Sequence, residues 1–232
     1  MRKFPVLPLM AFAASAALIA AATLSVSAET PVMTPAPKAA LPQNNATSET
    51  IVLAGGCFWG VQAVFQHVEG VTRAVSGYAG GKLVHPSYEQ VSTGETGYAE
   101  SVEVTFDPRK VSLADILRVY FSVAHNPTEV NRQGPDSGTQ YRSEIFASDR
   151  QEASFAKAYI AELDGAHVFA KPIATQVETG ASFYPAEGYH QDYATRHPDE
   201  PYIAYNDAPK VEALKRLFPA LYRDKPRLVA GG

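Results

Sequence analysis

The 232 residues contain a single cysteine, Cys57, and a single tryptophan, Trp59. With no second cysteine among them, no disulfide can form within this sequence. Nor is there a CxxC pair or a Cys/His cluster from which to build a structural zinc site. Basic runs are also missing, and the formal net charge is −4. An acidic chain of this kind lacks the electrostatic footprint that nucleic acid requires. No internal repeat is present.

What the sequence does contain begins with an export signal. Arg2 and Lys3 precede the apolar stretch "VLPLMAFAASAALIAAATL", and "VSA" at 26–28 offers small residues at the exit. This is the layout of a secretory signal peptide over residues 1–28, implying an exported and periplasmic protein. The alternative is an uncleaved N-terminal membrane anchor, since the apolar run is almost long enough to span. Membrane contact is expected only in that case, and the weakly hydrophobic alanines together with the good exit site favour cleavage. Cleavage would remove Arg2 and Lys3 but no acid, taking the net charge from −4 to −6. Residues 29–48, "ETPVMTPAPKAALPQNNATS", have no apolar periodicity and read as a disordered, Pro/Ala-rich linker. Residues 49–232 then form one domain with a sizeable core. An unpaired cysteine in an exported protein is a candidate reactive thiol.

Within that domain, "TIVLAG" (50–55) reads as a buried strand. A helix beginning at or beside Cys57 follows, with Phe58, Val61, Phe65 and Val68 at helical spacing. "VTRAVSGY" (71–78) is a second strand, followed by a long glycine-punctuated loop. "YAESVEVTFDP" alternates, with Val102, Val104 and Phe106 on one face. Glu100 shares their parity, which puts a carboxyl at the buried side of the strand's beginning. A helix capped by Ser112 carries a stripe of Leu113, Ile116, Leu117, Tyr120, Phe121 and Ala124. "HNPTEVNRQGPDSGTQ" is too long for a mere connector and reads as functional loop. The strand "YRSEIFA", a helix opened by Ser148 and closed near Gly165, and the strand "IATQVET" complete the pattern. The order is β-α-β-β-α-β, then one more helix and strand, then a turn-rich C-terminal extension. It predicts an α+β fold: a ferredoxin-like split βαβ two-layer sandwich.

A cysteine at a helix start lies among unsatisfied N–H groups at the positive end of the helix dipole, and both favour the nucleophilic thiolate. Taken alone, a buried structural cysteine is about as common. The strand-to-helix turn, a frequent place for active-site groups, weighs toward function. Phe58 and Trp59 serve either the core or an aromatic wall beside the sulfur. Glu100 on the apolar face would be held protonated, ready to act as an acid. Among twelve tyrosines, Tyr88 and Tyr141 are weak candidates by themselves. His125, His190 and His197 are candidate bases that spacing does not separate.

Six segments taken together resemble the A-type peptide methionine sulfoxide reductases: GGCFWG, "GYAGG" (77–81), "PSYEQV" (86–91), "GYAESVEVTFDP" (97–108), "GTQYRS" (138–143) and "FYPAEGYHQDY" (183–193). They fall in the family's order and run from about 51 to 198. The resemblance implies an enzyme that reduces the S-epimer of methionine sulfoxide, protein-bound or free, in the repair of oxidised proteins. It implies that Cys57 attacks the sulfoxide sulfur and becomes a sulfenic acid, while Glu100 protonates the oxygen with help from Tyr88 and Tyr141. Phe58 and Trp59 would hold the S-methyl group, and Asp136 would orient the site. No metal or other cofactor is implied. Many family members carry a second cysteine that condenses with the sulfenic acid. This sequence has none, so an external reductant, a thioredoxin-like protein or a small thiol, must act on Cys57 directly. Two other readings are a cysteine hydrolase or acyltransferase with a histidine base, and a binding module built on Phe58 and Trp59 with an ordinary thiol.

Overall fold

The structure, a computed structural model, describes residues 30–39, 41 and 46–229; the expected signal segment 1–28 lies outside them. Strand β1 (Glu49–Gly55) leads into helix α1 (Phe58–Gln66), and β2 (Val71–Ala79) follows. The short helix α2 (Tyr88–Val91) precedes β3 (Ala99–Phe106) and α3 (Leu113–Val119), which continues as a π-helical turn through Ala124. A two-residue ladder, β4 (Arg132–Gln133) with β5 (Asp136–Ser137), and a 3-10 turn at Thr139–Tyr141 lead to β6 (Ser143–Ala147). Helix α4 (Arg150–Gly165), β7 (Gln176–Thr179) and β8 (Phe183–Pro185) come next, followed by α5 (Tyr193–Arg196) and α6 (Ala208–Leu217).

Six strands form one mixed sheet in the order β7-β6-β1-β3-β2-β8. The β6-β1-β3-β2 pairs are antiparallel, and so is β8 on β2, while β7 runs parallel to β6. Strand parity decides what each face buries. Ile51, Leu53, Val102, Val104, Ala74 and Ile145 point to the main core, where Val64 and Phe65 of α1, Ile116 and Leu117 of α3 and Phe155 of α4 cover them. Ala54, Ala79, Ala99 and Phe146 face the other way, into a small cluster covered by Ala181 and Phe183. The fold is thus α+β, with its large helices on one face.

Several local expectations change. Helix α4 is capped by Asp149, whose side chain accepts from the Glu152 N–H, while Ser148 N–H and Oγ turn to the Glu152 carboxyl instead. The long polar loops hold α2, with a Ser87–Gln90 capping box, and the β4–β5 ladder. The C-terminal extension is more than turns: Pro209 in the first turn starts α6, and Leu214 and Phe218 pack into the core.

Residues 30–39 also differ from the disordered linker expected there. Val32 N–H donates to the Ser122 carbonyl at 3.0 Å, and Thr34 N–H to Ser122 Oγ at 3.1 Å. The Tyr159 hydroxyl contacts Thr34 Oγ1 at 2.9 Å and the Pro35 carbonyl at 2.7 Å. Thr34 is wholly buried. This strap stays put through polar side-chain bonds to α3 and α4 rather than through an apolar stripe, and such bonds leave no periodicity to read.

Removing the Tyr159 hydroxyl (Tyr159→Phe) should cost ~1–3 kcal/mol in denaturant unfolding, the range for a buried hydrogen bond left half unmade. In a chain that begins at residue 47 the same substitution should be nearly silent, because its partners are gone. Equal effects in both chains would show that the strap is not held by this hydroxyl.

Candidate active site

The site grows from the end of β1. Gly56 has φ +86°, and a Cβ there would come within 2.5 Å of the Gln133 side chain, so only glycine fits. The turn it makes delivers Cys57 to the N-cap of α1 with extended-side dihedrals (φ −52°, ψ 122°). The sulfur receives the backbone N–H of Trp59. Next to it, the Phe58 N–H donates to Glu100 Oε2 at 3.0 Å.

Glu100 stands opposite Tyr78 in the β2–β3 ladder and is only 2% exposed. Burial is the largest influence on it and raises its pKa to about 8, against the opposing pull of the Phe58 N–H; Asp136 and Asp207 push it further up. At neutral pH this carboxyl is a neutral acid.

The thiol itself departs from expectation. Cys57 does start a helix, yet burial pushes its pKa well above the ordinary thiol value. Glu100, once ionised, and the Asp207 and Asp136 carboxyls act in the same direction, and the Trp59 N–H does not outweigh them. The resting sulfur is therefore a thiol. A short helix offers little positive potential, and three acids share the space around it.

Around this pair stand aromatic rings. Phe58 is buried, with its ring centroid 5.9 Å from Tyr78 and 5.0 Å from His190. Trp59 is half-buried, stacked on Tyr193 at 3.9 Å, with its indole N–H donating to His190 Nδ1 at 3.2 Å. Burial is the largest influence on Tyr88 and Tyr141, which stand near Glu100 and Cys57, and it raises the pKa of each phenol, keeping it a hydroxyl. Neither hydroxyl bonds another side chain or carbonyl among the described residues. The Asp136 carboxyl accepts from the Tyr202 hydroxyl, and burial raises its pKa. A narrow crevice lined by Cys57, Gln133, Asp136, Tyr202, Asn206 and Lys210 leads from the sulfur outward. All seven residues picked from the sequence thus gather at one place.

The three candidate bases go elsewhere. His125 is buried with Nε2 2.7 Å from Ser143 Oγ, and burial lowers its pKa to about 3. His190 serves Trp59, and the ring of His197 lies against Tyr193. Without a histidine on the sulfur, the hydrolase reading loses its base. Tyr193, Tyr202, Glu187 and Asp207 also belong to the site, and no sequence pattern marks them. Glu187 binds both the Tyr78 hydroxyl and the Tyr88 N–H at 2.9 Å, and so ties α2 to the sheet. The quoted "FYPAEGYHQDY" contained Glu187 and Tyr193, but nothing in it showed which way they face.

The sequence profile described as peptide methionine sulfoxide reductase matches residues 49–220. The peptide methionine sulfoxide reductase MsrA 2 of Mesorhizobium japonicum is 62% identical over 182 residues, covering 78% of this chain and 93% of its own. The MsrA of Thermus thermophilus is 47% identical over 175 residues, 75% of this chain and 98% of its own. Among solved structures, reduced Mxr1 of Saccharomyces cerevisiae is similar with a TM-score of 0.61 at 32% identity, covering 68% of this chain and 90% of that one. Methionine sulfoxide reductase A of Corynebacterium diphtheriae gives 0.56 at 32% identity, over 75% and 87%.

The protonated Glu100 carries a stability signature. The folded state holds its proton up to about pH 8, whereas the unfolded chain loses it near the ordinary value of 4.5. Between those limits the folded state binds more protons, so this group makes stability fall as pH rises, by ~1.4 kcal/mol per pH unit. Glu100→Gln abolishes that contribution. Its stability relative to the native chain should climb with pH across the window, as followed by urea unfolding at several pH values. A difference independent of pH would mean that Glu100 is ionised in the fold.

Proposed function

Since this chain belongs to the peptide methionine sulfoxide reductase family, we propose that Cys57 and Glu100 together carry its reaction, with the proton passing between them. The activity is the reduction of methionine sulfoxide to methionine. The observation that supports this assignment of roles is a buried, protonated carboxyl sharing the first turn of α1 with the only thiol.

The substrate's S-methyl group lies against Phe58 and Trp59, which leaves the sulfoxide oxygen toward Glu100. The Cys57 sulfur attacks the sulfoxide sulfur as Glu100 gives its proton to the oxygen. That oxygen passes to Cys57: the S–O bond of the substrate breaks and a new one forms on the cysteine. Methionine sulfur gains two electrons, and the cysteine sulfur loses two and becomes a sulfenic acid. The thiol proton returns to the Glu100 carboxylate, so a resting thiol is a competent start and the acid is restored within the step. The uncommitted Tyr88 and Tyr141 hydroxyls supply hydrogen bonds to the oxygen as charge develops on it. Asp136, held by Tyr202, orients the far wall. Selection of the S-epimer follows from three fixed points around the sulfoxide sulfur: the methyl wall of Phe58 and Trp59, the Glu100 acid and the attacking Cys57 sulfur.

Regeneration falls to an external thiol, a thioredoxin-like protein or a small thiol, because the 232 residues hold no second cysteine. Peptides and proteins carrying methionine sulfoxide are the substrates. The N-terminal pattern supports an exported, periplasmic enzyme cleaved after residue 28, with an uncleaved anchor as the alternative. The order and antiparallel pairing of β6-β1-β3-β2 support the ferredoxin-like description of the central sheet, to which β7 and β8 add edges.

Glu100→Gln should slow sulfenic acid formation by ~10²–10⁴-fold, as expected for a lost general acid. In the native enzyme the single-turnover rate should fall as pH rises through about 8, where Glu100 loses its proton. The same plot for Glu100→Gln should be flat there. An unchanged rate in rapid quench would remove Glu100 from the mechanism, and full activity in Cys57→Ser would remove the mechanism itself.

The missing partner cysteine sets the stoichiometry. Without added reductant, each chain should release one methionine and stop as the sulfenic acid, while added thiol restarts it through a mixed disulfide of one adduct per chain. Intact mass spectrometry on non-reducing samples distinguishes this from a burst of two methionines, which would demand a second oxidisable group or a sulfinic acid at Cys57.

A further inference from the structure

Asp207 lies 1% exposed where the π-helical turn Ile203–Asp207 meets α6. Its carboxyl is packed onto the first turn of α1: a Cβ on Gly60 would sit 2.1 Å from Asp207 Oδ1. The same Oδ1 is 3.8 Å from Lys210 Nζ, and Lys210 lines the same crevice as Cys57. A C-terminal helix has thus brought a buried acid to the helix end on which the nucleophile depends.

We propose that Asp207 is a positioning residue that restrains Cys57: its carboxyl, packed against the first turn of α1, opposes negative charge on the sulfur and so holds the cysteine as an unreactive thiol between turnovers. The other groups facing the sulfur leave room for this role. Glu100 on β3 is neutral at rest, so its charge is absent when the enzyme waits. Asp136 on β5 shares its charge with the Tyr202 hydroxyl. Tyr88 and Tyr141 are neutral hydroxyls, as are Tyr193 on α5 and Tyr202 beside the crevice. Lys210 is the one cation in the crevice lining, and it opposes Asp207. Among the acids that push the Cys57 thiol upward beyond the effect of burial, Asp207 follows Glu100 and precedes Asp136. In an enzyme without a resolving thiol, a resting thiolate would react with any passing oxidant and could climb to the sulfinic acid unrescued. Restraint removes that hazard, and the substrate supplies the release: its oxygen takes the Glu100 proton, and the carboxylate thus formed accepts the proton of the thiol.

The inference rests on Cys57 as the nucleophile, but its test reads the thiol without turnover, so the two can fail separately. Iodoacetamide alkylation of the full chain should be measured against pH for two variants that carry opposite signs. Asp207→Asn, which keeps size and shape, should move the profile to lower pH and speed alkylation at pH 7 several-fold. It should also speed peroxide-driven formation of the sulfinic acid seen by mass. Lys210→Gln leaves Asp207 less compensated and should move the profile to higher pH. Profiles that stay in place while the melting temperature falls would make both residues structural only and overturn the proposal. A shift of both variants in the same direction would overturn it equally. Should Asp207→Asn fail to fold, Asp207→Ser takes its place against the charge-keeping Asp207→Glu, and coincident alkylation profiles for that pair overturn the proposal.

Discussion

The first turn of α1 is contested ground. A helix start exposes a few N–H donors and a modest positive potential, and here two acceptors and one packed carboxyl converge on it. Glu100 takes the Phe58 N–H, the Cys57 sulfur takes the Trp59 N–H, and the Asp207 carboxyl lies on Gly60. The donors cannot stabilise three negative charges at once in so dry a place. Glu100 and Cys57 keep their protons at rest, and they are the pair whose exchange of one proton the chemistry needs. The arrangement of the sheet follows from it: β1 must end at the helix start, and β3 must lie beside β1 so that its first residues reach Phe58.

That dryness is built by the aromatic shell. Phe58, Trp59, Tyr78, Tyr88 and His190 contact one another in a chain of tilted and hydrogen-bonded rings. Glu187 fastens two of them from outside the pocket. Glu100 is buried beside this shell, and that burial lifts its pKa. Polarity is reintroduced only where oxygen is to be held, by the two phenol hydroxyls.

Much of this could be read in the sequence because it is local. The glycine pair ends β1 and the apolar spacing after Cys57 starts α1. Strict alternation from Val102 to Phe106 placed Glu100 on the buried side. What could not be read is long-range. The acids that lift the thiol come from positions 100, 136 and 207, brought together only by the fold, so the helix-start argument had the right place and the wrong protonation state. Helix α6 was within reach, since Pro209 and the pair Leu214 and Phe218 follow helical rules. Thr34 was not: a buried threonine in a proline-rich stretch has no periodic neighbours, and its partners lie 88 and 125 residues away.

The indole stacked on Tyr193 and bonded to His190 is the chain's only one. Light absorbed at the red edge of the protein band is therefore absorbed two residues from the nucleophile, with no background from indoles elsewhere. Every change at the sulfur, whether occupancy by a thioether, an added oxygen or a bulky mixed disulfide, alters the surroundings of that fluorophore. The arrangement that excludes water from the acid makes the emission of the whole molecule a record of its active centre, readable in real time without a label.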